Sequence, residues 1–176
     1  MTEVIIERHP DQPLTAADAL AIVEGGIDCR AIHRLTWHRS LLAADGWQMI
    51  CHVSSPDLES VRIALKSGPK PARTEVWSCT VRDTSELTPA DLAQANVLAR
   101  WKFDEPVTAE ELESIEGYGG ACLRDHRVRT LRTFISSDRR RVLCLCQAAD
   151  AESVRIALRE LKPSAERVCA FQQFHD

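Results

Sequence analysis

Apolar positions along the chain follow two spacings, and together they predict the same series of elements twice. Short apolar runs bounded by polar residues, such as 3–7 and 95–99, predict strands. Apolar residues three or four positions apart, such as Leu58, Val61 and Leu65, predict amphipathic helices. In each half of the chain the predicted order is βαββαβ, which is the ferredoxin-like arrangement.

An internal repeat underlies this symmetry. The heptapeptide at 59–65 recurs without change at 152–158, an offset of 93 residues, and the register continues without a gap back to Pro13. Such an extended match indicates duplication. We therefore predict a first ferredoxin-like repeat over 1–81, a connector over 82–94 and a second ferredoxin-like repeat over 95–176.

Helix starts occupy equivalent places in the two repeats. Thr15 with Asp18, and Thr108 with Glu111, have the spacing of a capping box, in which hydroxyl and carboxylate satisfy the first free amides of a helix. Glycine disfavours the helix interior, so the pair at 25–26 predicts that the first helix breaks or bends there.

The strands in the middle of each repeat are apolar on both faces, as at 142–146, and such strands are usually buried on both sides. Helices cover only one face of a ferredoxin-like sheet. The predicted fold is therefore α+β, with tandem ferredoxin-like units whose antiparallel sheets pack face to face as an intramolecular pseudo-dimer. The alternative is two separated domains joined by 82–94.

Composition narrows the functional classes. The chain has 176 residues, of which 44% are hydrophobic, so it can form a substantial core. No stretch approaches the ~20 apolar residues of a membrane span, and the charged N-terminus does not resemble a signal peptide. We therefore predict a cytoplasmic protein without membrane contact. The net charge of −4, and the absence of aromatic residues at 141–146 for base stacking, argue against a nucleic-acid partner.

Seven cysteines are present, and none forms a CxxC motif. We predict that they are reduced, and we predict no iron-sulfur cluster. Cys144 and Cys146 would lie on one face of a strand, but two thiols lack the four ligands of a structural zinc site.

A metal site is predicted around Cys51. If Asp45 and Gly46 form a two-residue hairpin turn, Ser40 lies opposite Cys51, with His38 diagonal on the same face. Thiolate and imidazole together suit nickel, copper or zinc. The alternative is that Cys51 packs between the sheets as a small apolar residue.

Several short motifs resemble a known family, the nickel-binding ferredoxin-like domains, a bacterial family of unknown function. The chain looks like two tandem copies of it. The motifs are Trp37-x-x-Ser40, Met49-x-Cys51, Pro56-Asp57-x-Glu59-Ser60-Val61-Arg62 and Ala149-Asp150-Ala151-Glu152-Ser153-Val154-Arg155.

The resemblance carries several implications. Family members are small and usually dimeric, which implies a possible homo-oligomer, and some bind nickel through histidines at the end of the first strand. Here that position is His9, whereas the second repeat has Lys102 and Phe103. Leu131 also stands at the position of His38, so we expect the site in the first repeat only.

Two further features remain open. His33 and His126 occupy equivalent places and are either paired sites or helix C-terminal residues that interact with the dipole. The basic run at 124–141 is either an anion-binding surface or a solvated face with local ion pairs.

The leading functional prediction is a non-catalytic module that binds nickel, another transition metal or a small ligand between or beside the sheets. The predicted metal ligands are His9, His38 and Cys51. No catalytic residue is assigned. The alternatives are an enzyme of the dimeric α/β-barrel type that uses a histidine or cysteine in the same space, and a structural or regulatory interaction module.

Overall fold

The structure is a computed structural model that describes residues 1–66, 73–84, 86–117, 122–159 and 164–174. Its eight strands are β1 (Thr2–His9), β2 (Thr36–Ala43), β3 (Met49–Ser55), β4 (Arg73–Asp83), β5 (Val97–Lys102), β6 (Arg129–Ser136), β7 (Arg141–Gln147) and β8 (Arg167–Phe174). Its helices are α1 (Ala16–Glu24), α2 (Ile27–Ile32), α3 (Leu58–Lys66), α4 (Pro89–Ala93), α5 (Ala109–Gly117), α6 (Cys122–Asp125) and α7 (Ala151–Leu158). None of these helices is long and apolar enough to cross a membrane.

The chain divides into two units. Unit 1 contains Met1–Cys79 and Gln172–Asp176, and unit 2 contains Thr80–Phe171. The division falls within β4 and β8, so each unit holds the end of a strand that begins in the other.

In unit 1, the element order β1-α1-α2-β2-β3-α3-β4 agrees with the predicted βαββαβ series. Strand β1 pairs antiparallel with β3 and β4, and β3 also pairs with β2. Ser40 lies opposite Cys51, as predicted. Gly46, in the loop between β2 and β3, has φ +75°, a value that glycine adopts without strain.

Unit 2 repeats this pairing at the predicted offset. Strand β5 pairs with β7 and β8, and β7 also pairs with β6. Val4 lies opposite Val53 in unit 1, and Val97 lies opposite Cys146 in unit 2. The third strands carry Cys51 and Cys144 at matching positions, which confirms the offset in three dimensions.

A β-bulge occurs at the same place in both units. The register shifts between Trp37 and Arg39 in β2, and between Thr130 and Arg132 in β6. The extra residues are His38 and Leu131. A bulge inserts one residue, and this can redirect a side chain that simple alternation would place on the other face.

The predicted helix ends are also observed. Thr15 and Asp18 form both hydrogen bonds of a capping box, and Gly25 caps the C-terminus of α1. The Thr108 hydroxyl accepts a hydrogen bond from the Glu111 amide, while the Glu111 carboxylate accepts one from the Thr108 amide. Threonine and acid at this spacing therefore fix the start of a helix in each unit.

The predicted tandem ferredoxin-like fold, with two sheets packed face to face as a pseudo-dimer, is wrong. All eight strands are hydrogen-bonded in the order β1-β3-β2-β8-β5-β7-β6-β4, which closes a barrel. Sequence patterning indicated strands buried on both faces, but burial alone does not distinguish stacked sheets from a closed barrel.

Each unit has its own core between sheet and helices. In unit 1, alternate residues of β1 and β3, including Ile6 and Cys51, pack with Val23 and Val61 of the helices. In unit 2, Trp101 and Cys144 pack in the same way with Leu158. Because side chains alternate along a strand, the intervening residues of β1 and β3 lie on the opposite face of the sheet.

Candidate functional site

Three potential metal ligands meet on that opposite face in unit 1. Glu3 lies on β1, His52 on β3 and His38 on β2. Glu3 is opposite Ser54, two residues beyond His52 on the same side of β3. His38 reaches them because it is the extra residue of the bulge, which turns its ring toward His52, with ring centroids 4.5 Å apart.

Hydrogen bonds connect the four side chains. His52 Nε2 lies 2.6 Å from Glu3 Oε2, and the Ser54 hydroxyl donates to Glu3 Oε1 at 2.8 Å. His38 Nε2 is 2.5 Å from Ser54 Oγ and 3.7 Å from Glu3 Oε2. The carboxylate is therefore the centre of the cluster.

Burial and charge together set the state of this carboxylate. Burial by itself raises the pKa of Glu3, but hydrogen bonds from Ser54 and His52, with the charges of His52 and His38, lower it below the ordinary glutamate value. Glu3 is thus ionised at neutral pH. His52 is 5% exposed, whereas the Glu3 and His38 side chains are about one-third exposed, so the cluster is open to solvent on one side.

The donor set is compatible with a transition metal ion. Glu3, His38 and His52 each offer one ligand atom, and these atoms all lie within 4.8 Å of one another. Imidazole nitrogen suits nickel, copper, zinc and iron, and two histidines with one carboxylate form a familiar three-ligand set. In this structure the imidazoles hydrogen-bond to oxygen, so a metal ion would replace protons at Nε2.

A second polar group follows along the same face. The Glu7 carboxylate is 2% exposed and accepts hydrogen bonds from Gln48 Nε2 at 3.0 Å and from Trp77 Nε1 at 2.8 Å. His9 lies at this end, with Nε2 4.0 Å from Glu7 Oε2. His9 is six residues from Glu3 along β1, or about 20 Å, so the structure does not bring it to the cluster.

Cys51 faces the other way. It is fully buried on the helix side of β3, where its Sγ accepts hydrogen bonds from Arg8 Nη1 at 2.9 Å and from Ser40 Oγ at 3.4 Å. His38 and Cys51 are therefore on opposite faces of the sheet. Of the predicted ligands, only His38 enters the three-donor cluster.

Unit 2 has no counterpart of this cluster at the equivalent positions. Asn96 replaces Glu3, Leu131 replaces His38 and Leu145 replaces His52. Both leucines are fully buried. The expectation that the second repeat holds no metal site stays a prediction.

Two further histidines, His33 and His126, each follow a helix. His33 comes directly after α2, and His126 comes directly after α6 and is exposed. Both positions fit the helix C-terminal interpretation, which stays a prediction.

Several arginines of the basic run at 124–141 form ion pairs. Arg132 forms a bidentate ion pair with Asp83, with Nε 2.6 Å from Oδ1 and Nη2 2.8 Å from Oδ2. Arg129 Nη1 lies 2.6 Å from Asp91 Oδ1. Hydrogen bonds from Thr88 and Arg129 lower the pKa of Asp91 to about 2. These contacts support the interpretation of a solvated face.

Thiol chemistry is suppressed at Cys146. Burial raises the pKa of this thiol to about 12, although a hydrogen bond with Thr130 acts in the other direction. Burial, with the charge of Glu3, likewise raises the pKa of Cys79 to about 12. Both thiols are protonated at neutral pH, and a metal ligand or nucleophile needs the thiolate.

Comparison with known proteins links part of the chain to nickel. Residues 98–170 match the family model described as "Nickel responsive protein SCO4226-like", which covers one copy and less than half of the chain. No curated protein matches the chain in sequence. The matched residues lie in unit 2, whereas Glu3, His38 and His52 lie outside the match.

Solved structures share the fold. An anthrone oxidase-like protein is 10% identical, with a TM-score of 0.54, and the match covers 99% of this chain and 92% of that one. A protein described as a candidate chlorite dismutase is 12% identical, with a TM-score of 0.51 and coverage of 98% and 94%. At this identity the likeness concerns the fold alone.

Sequence reasoning missed Glu3 and His52. The available signal was the predicted pairing of Ser40 with Cys51, which already places His52 beside β2 on the reverse face. The bulge at His38 was not visible in the residue pattern, because no glycine or proline marks it.

Proposed function

We propose that unit 1 is a non-catalytic binding module that holds one transition metal ion, with nickel as the first candidate, through Glu3, His38 and His52. The observation that carries this proposal is the approach of three donor atoms to within 4.8 Å of one another. Such a cluster is not a requirement of the fold, because leucine occupies both histidine positions in unit 2.

The exposed edge of the cluster supports reversible binding. Glu3 and His38 are each partly open to solvent, so an ion can reach the donors without unfolding the strands. When bound, the ion would supply positive charge that replaces the protons now shared between the imidazoles and oxygen. The role of Ser54 is to orient the Glu3 carboxylate, since it donates to Glu3 Oε1 and leaves Oε2 toward His52.

The family match supports nickel as the metal to test first. It covers 98–170 only, so the proposal includes the finer statement that residues 1–81 form a second, divergent copy of the same family. On this proposal the matched half retains the fold, and the unmatched half carries the ligands.

An enzyme that uses the same cluster is the second candidate. Three protein donors leave coordination positions open for a substrate, and this feature distinguishes catalytic from closed structural metal sites. If nickel saturates the site and the bound nickel has no ligand that exchanges with small anions, the result would favour the binding module. Displacement of metal-bound water by small anions, seen as a change in the electronic spectrum of the cobalt-substituted protein, would favour the enzyme.

The test is calorimetric titration of nickel into tag-free protein stripped with a chelator. We expect one ion per chain, and affinity at least about 10-fold weaker in His52→Leu and His38→Leu, because each variant removes a ligand. The exposed-histidine variant His126→Leu is the matched control and should bind as the wild type does.

Two results would contradict the assignment. Equal binding in the wild type, His38→Leu and His52→Leu would exclude these ligands. Loss of binding in Cys51→Ala or His9→Ala, with His52→Leu unaffected, would return the site to the ligands predicted from sequence.

A further inference from the structure

A separate cavity lies on the other face of the unit 1 sheet. It is lined by residues of β1, β2, α1, α2 and α3 and of the adjoining loops, and its volume is about 40 Å³. Most of its wall is apolar and includes Ile6, Ile22, Leu35, Val61 and Leu65. A volume of this size holds several atoms and exceeds what one water molecule requires.

Two arginines also line the apolar cavity. Arg8 is 4% exposed and Arg30 is 7% exposed. Both guanidinium groups approach the ring of Trp37, with Cζ at 6.0 Å from the centroid for Arg8 and 5.1 Å for Arg30. Two like charges therefore lie on the same aromatic ring in the interior of the unit.

The charge of Arg8 has no acidic partner within the described part of the chain. Its Nη1 donates to the Cys51 thiol at 2.9 Å, and no carboxylate among the described residues forms an ion pair with it. A thiol is a weak acceptor, and arginine remains protonated in proteins. A buried charge of this kind is unfavourable unless a counter-charge is supplied.

The equivalent positions of unit 2 carry apolar side chains. Trp101 stands at the position of Arg8, and Leu123 stands at the position of Arg30. Both are buried in the unit 2 core, 2% and 3% exposed, beside Val154 and Leu158. The fold therefore does not require arginine here, and unit 1 differs by placing positive charge at these positions.

We propose that this cavity binds a small organic monoanion, a short-chain carboxylate. Its carboxylate would accept bidentate hydrogen bonds from the Arg8 guanidinium. Arg30 would add a second positive charge nearby. Its alkyl chain would contact Ile6, Val61 and Leu65. The small volume excludes long acyl chains, and the apolar wall disfavours multiply charged anions such as phosphate.

This site is distinct from the metal cluster. Cys51 and His52 are neighbours on β3, so the Arg8 side and the His52 side belong to opposite faces of the sheet. The inference therefore goes beyond the proposed metal binding, and it can be tested with all metal removed by a chelator.

The test uses butyrate as the probe and its neutral amide, butyramide, as the matched ligand control. In chelator-containing buffer, increasing butyrate concentrations should raise the unfolding temperature of the wild type along a saturating curve. Butyramide should leave the unfolding temperature unchanged. Calorimetry should give a butyrate affinity at least about 10-fold weaker in Arg8→Met, since the charged hydrogen bonds are lost. Arg8→Lys should be intermediate, and Arg62→Met, which changes an exposed arginine, should equal the wild type.

Three results would overturn the proposal. The first is that acetate, butyrate and hexanoate all fail to bind the wild type saturably. The second is that Arg8→Met and Arg8→Lys bind butyrate with equal affinity. The third is a thiolate absorbance of the wild type at neutral pH that disappears in Cys51→Ala. The last would mean that the chain itself supplies the counter-charge of Arg8. If Arg8→Met does not fold, Arg8→Lys against the wild type makes the same comparison.

Discussion

Units 1 and 2 share an element order and strand register, but they place different chemistry at equivalent positions. Where unit 1 has Arg8 on the helix side of its sheet, unit 2 has Trp101. Where unit 1 has His52 on the reverse side, unit 2 has Leu145. The same strand arrangement therefore accommodates polar side chains in unit 1 and apolar side chains at the equivalent positions of unit 2.

This difference shows which polar groups the fold does not need. A buried histidine or arginine in a single domain can be explained as a satisfied structural residue. Here the second unit provides an internal comparison, because leucine and tryptophan occupy the equivalent positions of the same strand arrangement. The polar residues of unit 1 are thus candidates for function, and exchanging residues between the units tests that conclusion.

The largest effect is expected from placing the unit 1 charge in unit 2. Trp101→Arg removes a large buried ring and inserts a charge into a filled core, which should lower the free energy of unfolding by about 4 kcal/mol or more. Arg8→Met in unit 1 should leave the free energy of unfolding unchanged or raise it by up to about 2 kcal/mol. Urea unfolding measures both, and a large loss in Arg8→Met would mean that arginine is a structural requirement after all.

A smaller effect is expected on the reverse face. Leu145→His buries an imidazole among apolar side chains and should cost about 3 kcal/mol of unfolding free energy. His52→Leu should cost only about 1 kcal/mol, since Glu3 is partly exposed and can be hydrated. Equal losses in the two variants, measured by urea unfolding without metal, would remove the contrast between the units.

Metal should stabilise the chain through unit 1 alone. With free nickel about tenfold above its dissociation constant, linkage gives about 1.4 kcal/mol of added unfolding free energy in the wild type. His52→Leu should show none, and Leu131→Ala in unit 2 should lower stability but keep the nickel-dependent increment. Thermal unfolding with and without nickel measures the increment, and its persistence in His52→Leu would argue for a different site.

The smallest effect concerns pH. The pKa of Glu3 is lower in the folded chain than in the unfolded one. The ionised carboxylate therefore stabilises the folded chain at pH values above the ordinary glutamate pKa. This stabilisation is lost as the pH falls through the pKa of Glu3 in the folded chain. Because the Glu3 side chain is about one-third exposed, solvent screens this contribution, and we expect less than about 1 kcal/mol. Urea unfolding across the acid range should show a shallower decline in Glu3→Gln than in the wild type, and parallel curves would contradict this.

Local sequence rules predicted the elements well. Capping boxes placed the starts of α1 and α5, the glycine pair at 25–26 ended α1, and the offset of 93 matched the strand registers of the two units. These features depend on neighbours in sequence. Closure of the barrel depends on pairings between distant strands, and strand periodicity carries no information about which edges meet.

The candidate site was only partly predictable for a related reason. His38 was identified, but it was paired with Cys51 by assuming strict alternation along β2. One extra residue in the bulge moves His38 to the opposite face, where Glu3 and His52 become its neighbours. A single irregularity in a strand thus changes which side chains meet, while the predicted pairing of Ser40 with Cys51 is retained.

The bulge also has a consequence for protein engineering and for evolution. Because β2 and β6 both contain it, the backbone geometry that directs residue 38 or 131 toward the neighbouring strand is present with either histidine or leucine. The chain therefore contains this bulge geometry twice, once in each unit. If the proposed metal site is correct, metal binding would be gained or lost there by substituting side chains, with no insertion, deletion or change of strand pairing.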